Sequence, residues 1–369
     1  MAGPARILTT HTGSLQRPPR LRDMLVAKSK HEPVDTEALE AEIERAVRAV
    51  VKKQVDIGLD YINDGEQSKV GFAQYIRERL DGYDSEPIER VTNLEYRQFP
   101  HLYVKQMQVP CTSPLAWKDF AAVERDISRL KAATAGIKDK RIFMNAPSPG
   151  TLANNNPNRY YKSHEAYLEA IIETMRREYE AIADAGFYLQ VDSPDLTQRS
   201  YNFPDSTMAE FRAVVRQNIE AFHEATKTIP RDKIRVHVCW GANEAPHNHD
   251  TELNDLIDLL VQIRCSAMSV VGANGRHAHE WKIWKTVELP AHLKIIPGVI
   301  DSTTNIVEHP EAVAERILRY MEVLGPERIE AGVDCGFGTQ ATTSRVDPEV
   351  AMEKLAALVQ GAKLAAARL

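Results

Sequence analysis

Only four cysteines (Cys111, Cys239, Cys265 and Cys335) occur in 369 residues. So few exclude a disulfide scaffold and make reduced thiols the default, so that any cysteine falling into a pattern is a candidate ligand or nucleophile. No run approaches the roughly 18 apolar residues that a spanning helix needs, and the stretch from Met1 to Thr10 has no apolar core of signal-peptide length. A soluble, cytoplasmic protein without a membrane partner is expected. No Lys/Arg-rich stripe is interleaved with aromatics and the formal charge is −6, which argues against a nucleic-acid partner. Internal repeats and low-complexity tracts are absent as well. No Gly-rich fingerprint follows the first predicted strand, so a dinucleotide-binding fold fares badly.

What is present is enough apolar material, 43% of residues, to bury a large core, as a barrel with insertions or two ordinary domains would. A strand-then-helix rhythm runs along almost the whole chain. Predicted strands cover Arg6 to Thr12, Tyr61 to Asp64, Arg141 to Ala146, Tyr188 to Asp192, Ile234 to Trp240, Ala267 to Gly272, Leu293 to Asp301 and Arg328 to Cys335. Amphipathic helices are predicted at Thr36 to Ile57, Ser163 to Ala185, Met208 to Thr228, Glu252 to Ile263, Ala312 to Leu324 and Pro348 to Ala366. Eight strands with intervening helices predict an α/β fold, a single-domain (β/α)8 TIM barrel over residues 1–369, with an insertion or cap at about 82–136. Ser14, Glu66, Asp192, His237, Cys239, Asp301, Asp334 and Cys335 fall at or just past predicted carboxyl ends of strands. That rim is where barrels of this kind build their active sites.

His237 and Cys239 are two apart on one strand, so their side chains leave the same face. A third ligand must come from another strand, and Cys335, between Asp334 and Gly336, stands at the end of the last one. Imidazole with two thiolates suits Zn2+, and three protein ligands leave one position open for substrate. Coordination to zinc deprotonates a thiol and keeps its sulfur nucleophilic. The competing account makes His237 a hydrogen-bonded core histidine and both cysteines small buried apolar groups.

With His237-x-Cys239, Asp334-Cys335-Gly336 and the segment His11 to Ser14 all placed at strand ends, the chain resembles the cobalamin-independent methionine synthase superfamily over nearly its full length. It resembles above all the short single-barrel members that include epoxyalkane:coenzyme M transferases, through Cys239-Trp240-Gly241, Arg276 to Trp281, Thr304-Asn305 with Glu308 to Pro310, and Asp334 to Thr339. The resemblance implies that His237, Cys239 and Cys335 hold zinc. It also implies that Thr12, Ser14, Glu66 and Asp192 form the pocket for an amino-acid thiol. Three departures stand beside these matches. Val271 replaces the glutamate that would be the fourth zinc ligand, leaving that position to water, substrate, His277, His279 or Glu280. Asn154 to Asn156 replace a tryptophan that lines the folate site, and Thr303 replaces a histidine tied to proton transfer. Asn155, with Arg159 to Tyr161, is expected on the donor side.

The expectation is a zinc-dependent enzyme that activates a small-molecule thiol and alkylates or methylates it from a small donor. Were the donor an epoxide, Asp301, His277 and His279 are the candidates to protonate the opening oxygen. Methionine formation from homocysteine is the second enzymatic account, supported by Ser14, Glu66 and Asp192. A barrel that binds a thiol or amino acid without turnover is the third. A lyase of the uroporphyrinogen-decarboxylase type is the fourth, although its pocket should present arginines rather than paired cysteines.

Overall fold

Six segments of aliphatic and β-branched residues form a parallel sheet: β1 (Tyr61–Ile62), β2 (Arg141–Pro147), β3 (Tyr188–Asp192), β4 (Ile234–His237), β5 (Ala267–Val270) and β6 (Lys294–Pro297). Each lies beside its predecessor, in the order β1-β2-β3-β4-β5-β6, and the sheet curls into a half-barrel. The computed structural model describes residues 6–90, 93–241, 243–343 and 345–369. The first five residues of the opening stretch and residues 91 and 92 of the expected insertion lie outside them.

Two further predicted strands flank the open edges without forming ladders. Thr9 bridges Ala331, Ile329 bridges Ile295, and Gly332 bridges Gly298, all in the parallel sense. The amides of Asp60 and Tyr61 both donate to the Thr9 carbonyl at 3.1 Å. Segments 6–12 and 328–335 are therefore held by isolated bridges; β1, β4, β5 and β6 end earlier than expected, β3 ends where expected and β2 runs one residue further.

The helices form the outer layer, because each has one apolar stripe to bury. They are α1 (Pro19–Ser29), α2 (Thr36–Ile57), α3 (Ala121–Ala133), α4 (Pro149–Asn155), α5 (His164–Asp184), α6 (Met208–Thr226), α7 (Pro310–Leu324) and α8 (Pro348–Ala366). Their starts are capped as the sequence requires. Asp35 accepts from the Ala38 amide, Ser163 from Ala166, and Thr207 with Glu210 makes a reciprocal capping box. No helix among the described residues is long and apolar enough to cross a membrane.

Two regions differ from expectation. The segment predicted as a helix from Glu252 to Ile263 is a 3-10 turn, Leu253–Asp255, followed by one α turn, Ile257–Leu260. Leu253, Leu256, Ile257, Leu259 and Leu260 are all buried, a spread wider than one helical stripe, and the broken geometry accommodates it. The stretch 82–136 is not uniform either. Its last part is α3, which packs on α2 and α5 in the outer layer. Its earlier part holds the short helix Leu94–Gln98 and two small antiparallel ladders, Leu80–Asp81 with Ala116–Trp117 and Ile88–Glu89 with Met107–Gln108.

Candidate active site

The parallel register sorts polar side chains into layers. Pro147, Asp192, His237 and Ser269 lie side by side across β2 to β5, and Asn145, Gln190 and Arg235 lie side by side one step below. Polar groups inside strands that are otherwise apolar must find partners, and here they find one another. The Asn145 amide donates to the Thr12 carbonyl (2.7 Å) and to Asp192 Oδ2 (2.9 Å), while that of Gln190 donates to Thr12 O (2.5 Å) and Asp192 Oδ1 (3.0 Å). Asp192 and the Thr12 segment are thereby fixed together.

At the end of β4 the ligand atoms of His237, Cys239 and Cys335 lie within 4.8 Å of one another, all three residues buried. The two Sγ atoms are 3.2 Å apart. His237 Nδ1 pairs with Ser269 Oγ at 3.1 Å, and its Nε2 is buried with no partner among the described residues. An orphaned imidazole nitrogen beside two thiols is the donor set that zinc takes, with the second nitrogen oriented by a hydroxyl, so these residues fit that ion. The hydrogen bond from Cys335 pushes the Cys239 thiol well below its ordinary pKa, with His237 contributing, while the same bond and burial hold Cys335 well above. Burial opposes charge on His237, yet the neighbouring Cys239 raises its pKa. Val271, at the place of the missing glutamate, is buried.

The loop that carries Cys335 is anchored by its neighbour Asp334. Asp334 Oδ1 accepts from the amides of Gly272 and Ala273 at 2.9 Å each, and Oδ2 from Asn274 at 2.6 Å. Burial lifts this carboxyl to about 6 in spite of those three bonds. A Cβ on Gly336 would overlap the Ser14 hydroxyl, so a side chain there cannot coexist with Ser14 in its place. Asp334→Ala is expected to leave three amides unpaired and lower stability by about 3 kcal/mol. The check is the midpoint of urea unfolding, together with metal retention after dialysis.

Glu66 lies across the same mouth. It has φ +56, a left-handed conformation unusual for a residue with a side chain. Its amide donates to Asp64 Oδ1 at 2.9 Å, and its carbonyl accepts from Arg17 Nη2 at 2.8 Å. The carboxylate faces Arg17 at 3.7 Å, but Oε2 has no hydrogen bond. Burial raises the Glu66 pKa to about 7, against the pull of Lys69 and Arg17 and with the push of Asp192 and Asp64. Burial likewise raises Asp192, opposed by His237.

The other predicted residues have partners outside the trio. Asn155 ends α4, and its Oδ1 accepts from Arg90 Nη2 at 3.0 Å. Asp301 is half-buried, and its Oδ1 accepts from the Thr303 amide and hydroxyl, both at 2.8 Å. His277 is buried, its Nδ1 on Glu280 (2.9 Å), its Nε2 on Asp250 (3.0 Å) and its ring 5.0 Å from that of Trp240. His279 is exposed, 3.4 Å from Glu252. Asn145, Gln190, Ser269, Arg17 and the anchoring role of Asp334 escaped the sequence analysis. For the first three the signal was available: polar residues at period two within apolar parallel strands.

Residues 7–363 match the family described as the catalytic domain of cobalamin-independent synthases. The methionine synthase of Saccharolobus islandicus is 24% identical over 363 residues, covering 96% of this chain and 94% of its own. That of Sulfurisphaera tokodaii is 25% identical over 358 residues, covering 96% and 91%. Among solved structures, the B12-independent methionine synthase of Shewanella sp. W3-18-1, in complex with selenomethionine, superimposes with a TM-score of 0.76 at 19% identity, covering 97% of each chain. A chain from Listeria monocytogenes gives 0.66 at 21% identity, covering 98% of each.

Proposed function

The chain belongs to the cobalamin-independent synthase catalytic-domain family, and from that membership we propose that it is a zinc-dependent transferase that moves a methyl or alkyl group onto a thiol. The observation that carries the proposal is the buried trio His237, Cys239 and Cys335 with an unpartnered imidazole nitrogen. Zinc held there supplies the positive charge that lowers a substrate thiol's pKa and keeps its sulfur nucleophilic at neutral pH. We take the fold as one catalytic (β/α)8 domain in which segments 6–12 and 328–335 are the first and last strands, a view supported by the bridges from Thr9 to Ala331 and from Gly332 to Gly298.

In this account Ser269 orients His237, and Asp334 places Cys335. Glu66, Asp192, Thr12 and Ser14 hold the acceptor. A carboxylate whose Oε2 accepts no hydrogen bond, with Arg17 3.7 Å away and Asp64 and Asp192 close by, suits an ammonium group, so the acceptor is an amino-acid thiol. Asn155, fixed by Arg90, belongs to the donor side, and His277 packs against Trp240 to shape the wall there. Methionine formation from homocysteine is the narrower form of this proposal, favoured by the names of the relatives and by Glu66.

The test is proton release. Adding homocysteine to the zinc-loaded chain in weak buffer is expected to release about one proton per site, measured by calorimetry in buffers of different ionisation enthalpy. The chelator-stripped chain should release none. Equal release from both forms would sink the proposal.

A further inference from the structure

Lys69 is buried, with 2% of it exposed, and makes no ion pair among the described residues. Its ammonium donates to the Asn145 carbonyl at 2.8 Å and sits 4.3 Å from the centre of the Tyr75 ring. One carbonyl and one ring face offset only part of what it costs to take an ammonium out of water. Negative charge at longer range supplies more: burial raises the carboxyls of Glu66, Asp64 and Glu178, and the charge of Lys69 opposes that rise in all three.

Two arms of the candidate acceptor pocket meet at this ammonium. The first is Asn145, which, besides its bonds to Thr12 and Asp192, accepts from Asn63 Nδ2 on its side-chain carbonyl at 3.1 Å. Both ends of its amide and its backbone carbonyl are therefore taken. A Cβ on Gly13 would overlap that amide, so the opening segment lies directly against it, and displacing Asn145 displaces Thr12 and Asp192 together. The second arm is Glu66. The Lys69 amide donates to the Glu66 carbonyl at 3.0 Å, closing the turn in which Glu66 has its left-handed conformation. Around the Glu66 carboxylate stand Lys69 and Asp64 from that turn, Arg17 from the opening segment and Asp192 from the end of β3. Toward the helices, Glu178 accepts from the Tyr75 hydroxyl at 2.8 Å and Asp126 pairs with Arg79 at 2.6 Å.

We propose that Lys69 is a positioning residue of the acceptor pocket, one buried ammonium that fixes Asn145 by its hydrogen bond and keeps the Glu66 carboxylate available to the acceptor's ammonium group by its charge, an inference that rests on the transferase function proposed above. It acts through Asn145 and Glu66 rather than on the acceptor. Without it Glu66 would keep its proton to higher pH, and a neutral carboxyl attracts an ammonium far less than a carboxylate does.

The experiment is calorimetric titration of the zinc-loaded chain across neutral pH with L-methionine, which carries the ammonium and carboxylate of an amino-acid thiol but no ionising sulfur. Affinity of the parent should rise with a midpoint at about 7, where Glu66 ionises. Lys69→Gln keeps a donor for the Asn145 carbonyl and removes the charge, so that midpoint should move up by about one pH unit or more. Asn145→Ala keeps the charge and removes the tie, so affinity should fall about tenfold at every pH with the midpoint unmoved. A role confined to packing would lower the melting temperature of both variants and leave the midpoint in place. An unmoved midpoint in folded Lys69→Gln, or unchanged affinity in folded Asn145→Ala, would therefore overturn the proposal. Should Lys69→Gln fail to fold, the double variant Lys69→Gln with Glu66→Gln carries the test: folding regained once the charge that Lys69 offsets is gone supports the coupling, and a double variant equally unfolded overturns it. No binding of methionine or homocysteine by the parent, or failure of the separate proton-release measurement, would instead count against the transferase function and take this inference with it.

Discussion

Cys239→Ser and Cys335→Ser are each expected to purify with almost no zinc, where the unaltered chain carries about one ion per molecule. Changing an outer-shell partner of a metal site typically costs about 10–100-fold in affinity. Removing a ligand should exceed that, because a serine hydroxyl is a far weaker donor to zinc than a thiolate. Elemental analysis after dialysis gives the result directly, and unfolding provides a second readout. An ion that binds only the folded chain adds stability by mass action, so a chelator should lower the melting temperature of the parent and leave both variants where they are. Cys265→Ser is the control. That thiol is buried and held up to about 12 by burial, outside the trio, and its replacement should leave metal content intact. Full zinc in both ligand variants would remove the basis for the proposed chemistry.

Glu66→Gln is expected to reduce kcat/KM for an amino-acid thiol by about 10- to 150-fold, the worth of a hydrogen bond to a charged group. The pH dependence sharpens this expectation. Burial holds the Glu66 carboxyl at about 7, so the ionised form that attracts an ammonium grows as pH rises through neutrality. The rising limb of kcat/KM should centre near that value and vanish in the glutamine variant. Stability moves the other way. The folded-state pKa lies above the unfolded value of 4.5, so the folded chain keeps a proton that the unfolded chain has already released. The stabilising effect is fully present below the unfolded pKa and is lost as pH rises through the folded one, levelling off above it, with an amplitude of about 3 kcal/mol. Asp64 and Asp192, both raised by burial, add slope of the same sign. Without substrate, Glu66→Gln should be more stable than the parent at pH 8. A variant equal to the parent in both profiles would show that Glu66 does not meet the substrate.

The long helices and the buried strands were legible in the sequence because each is governed by its own periodicity. Thr36–Ile57 and Pro348–Ala366 match expectation residue for residue, and Tyr188–Asp192 does so among the strands. What the sequence hid was set by distant partners. The ends of the strands depend on whether a polar group there meets another strand or a loop amide, as the Asp334 carboxylate does, and the broken helix at 253–260 depends on what lies on either side of it. Spacing and residue type made His237, Cys239 and Cys335 candidates to lie together, as they do, and the family resemblance, not the spacing, favoured zinc over buried core residues. Asn145 carried a signal as a polar residue inside an apolar strand, but nothing local shows that its amide will tie the opening segment to Asp192.

The contact between Thr12 and Val333, 321 positions apart, also bears on how the molecule comes into being. During synthesis residue 12 must wait for residue 333 before this contact can form, and the candidate ligands at 237 and 239 wait for 335. A nascent chain halted before residue 335 would present one imidazole and one thiol with no third donor, so under the proposed function metal capture must follow the synthesis of residue 335. Folding dominated by such remote pairings is slow. Captured zinc would then report that strands far apart in the sequence have come together.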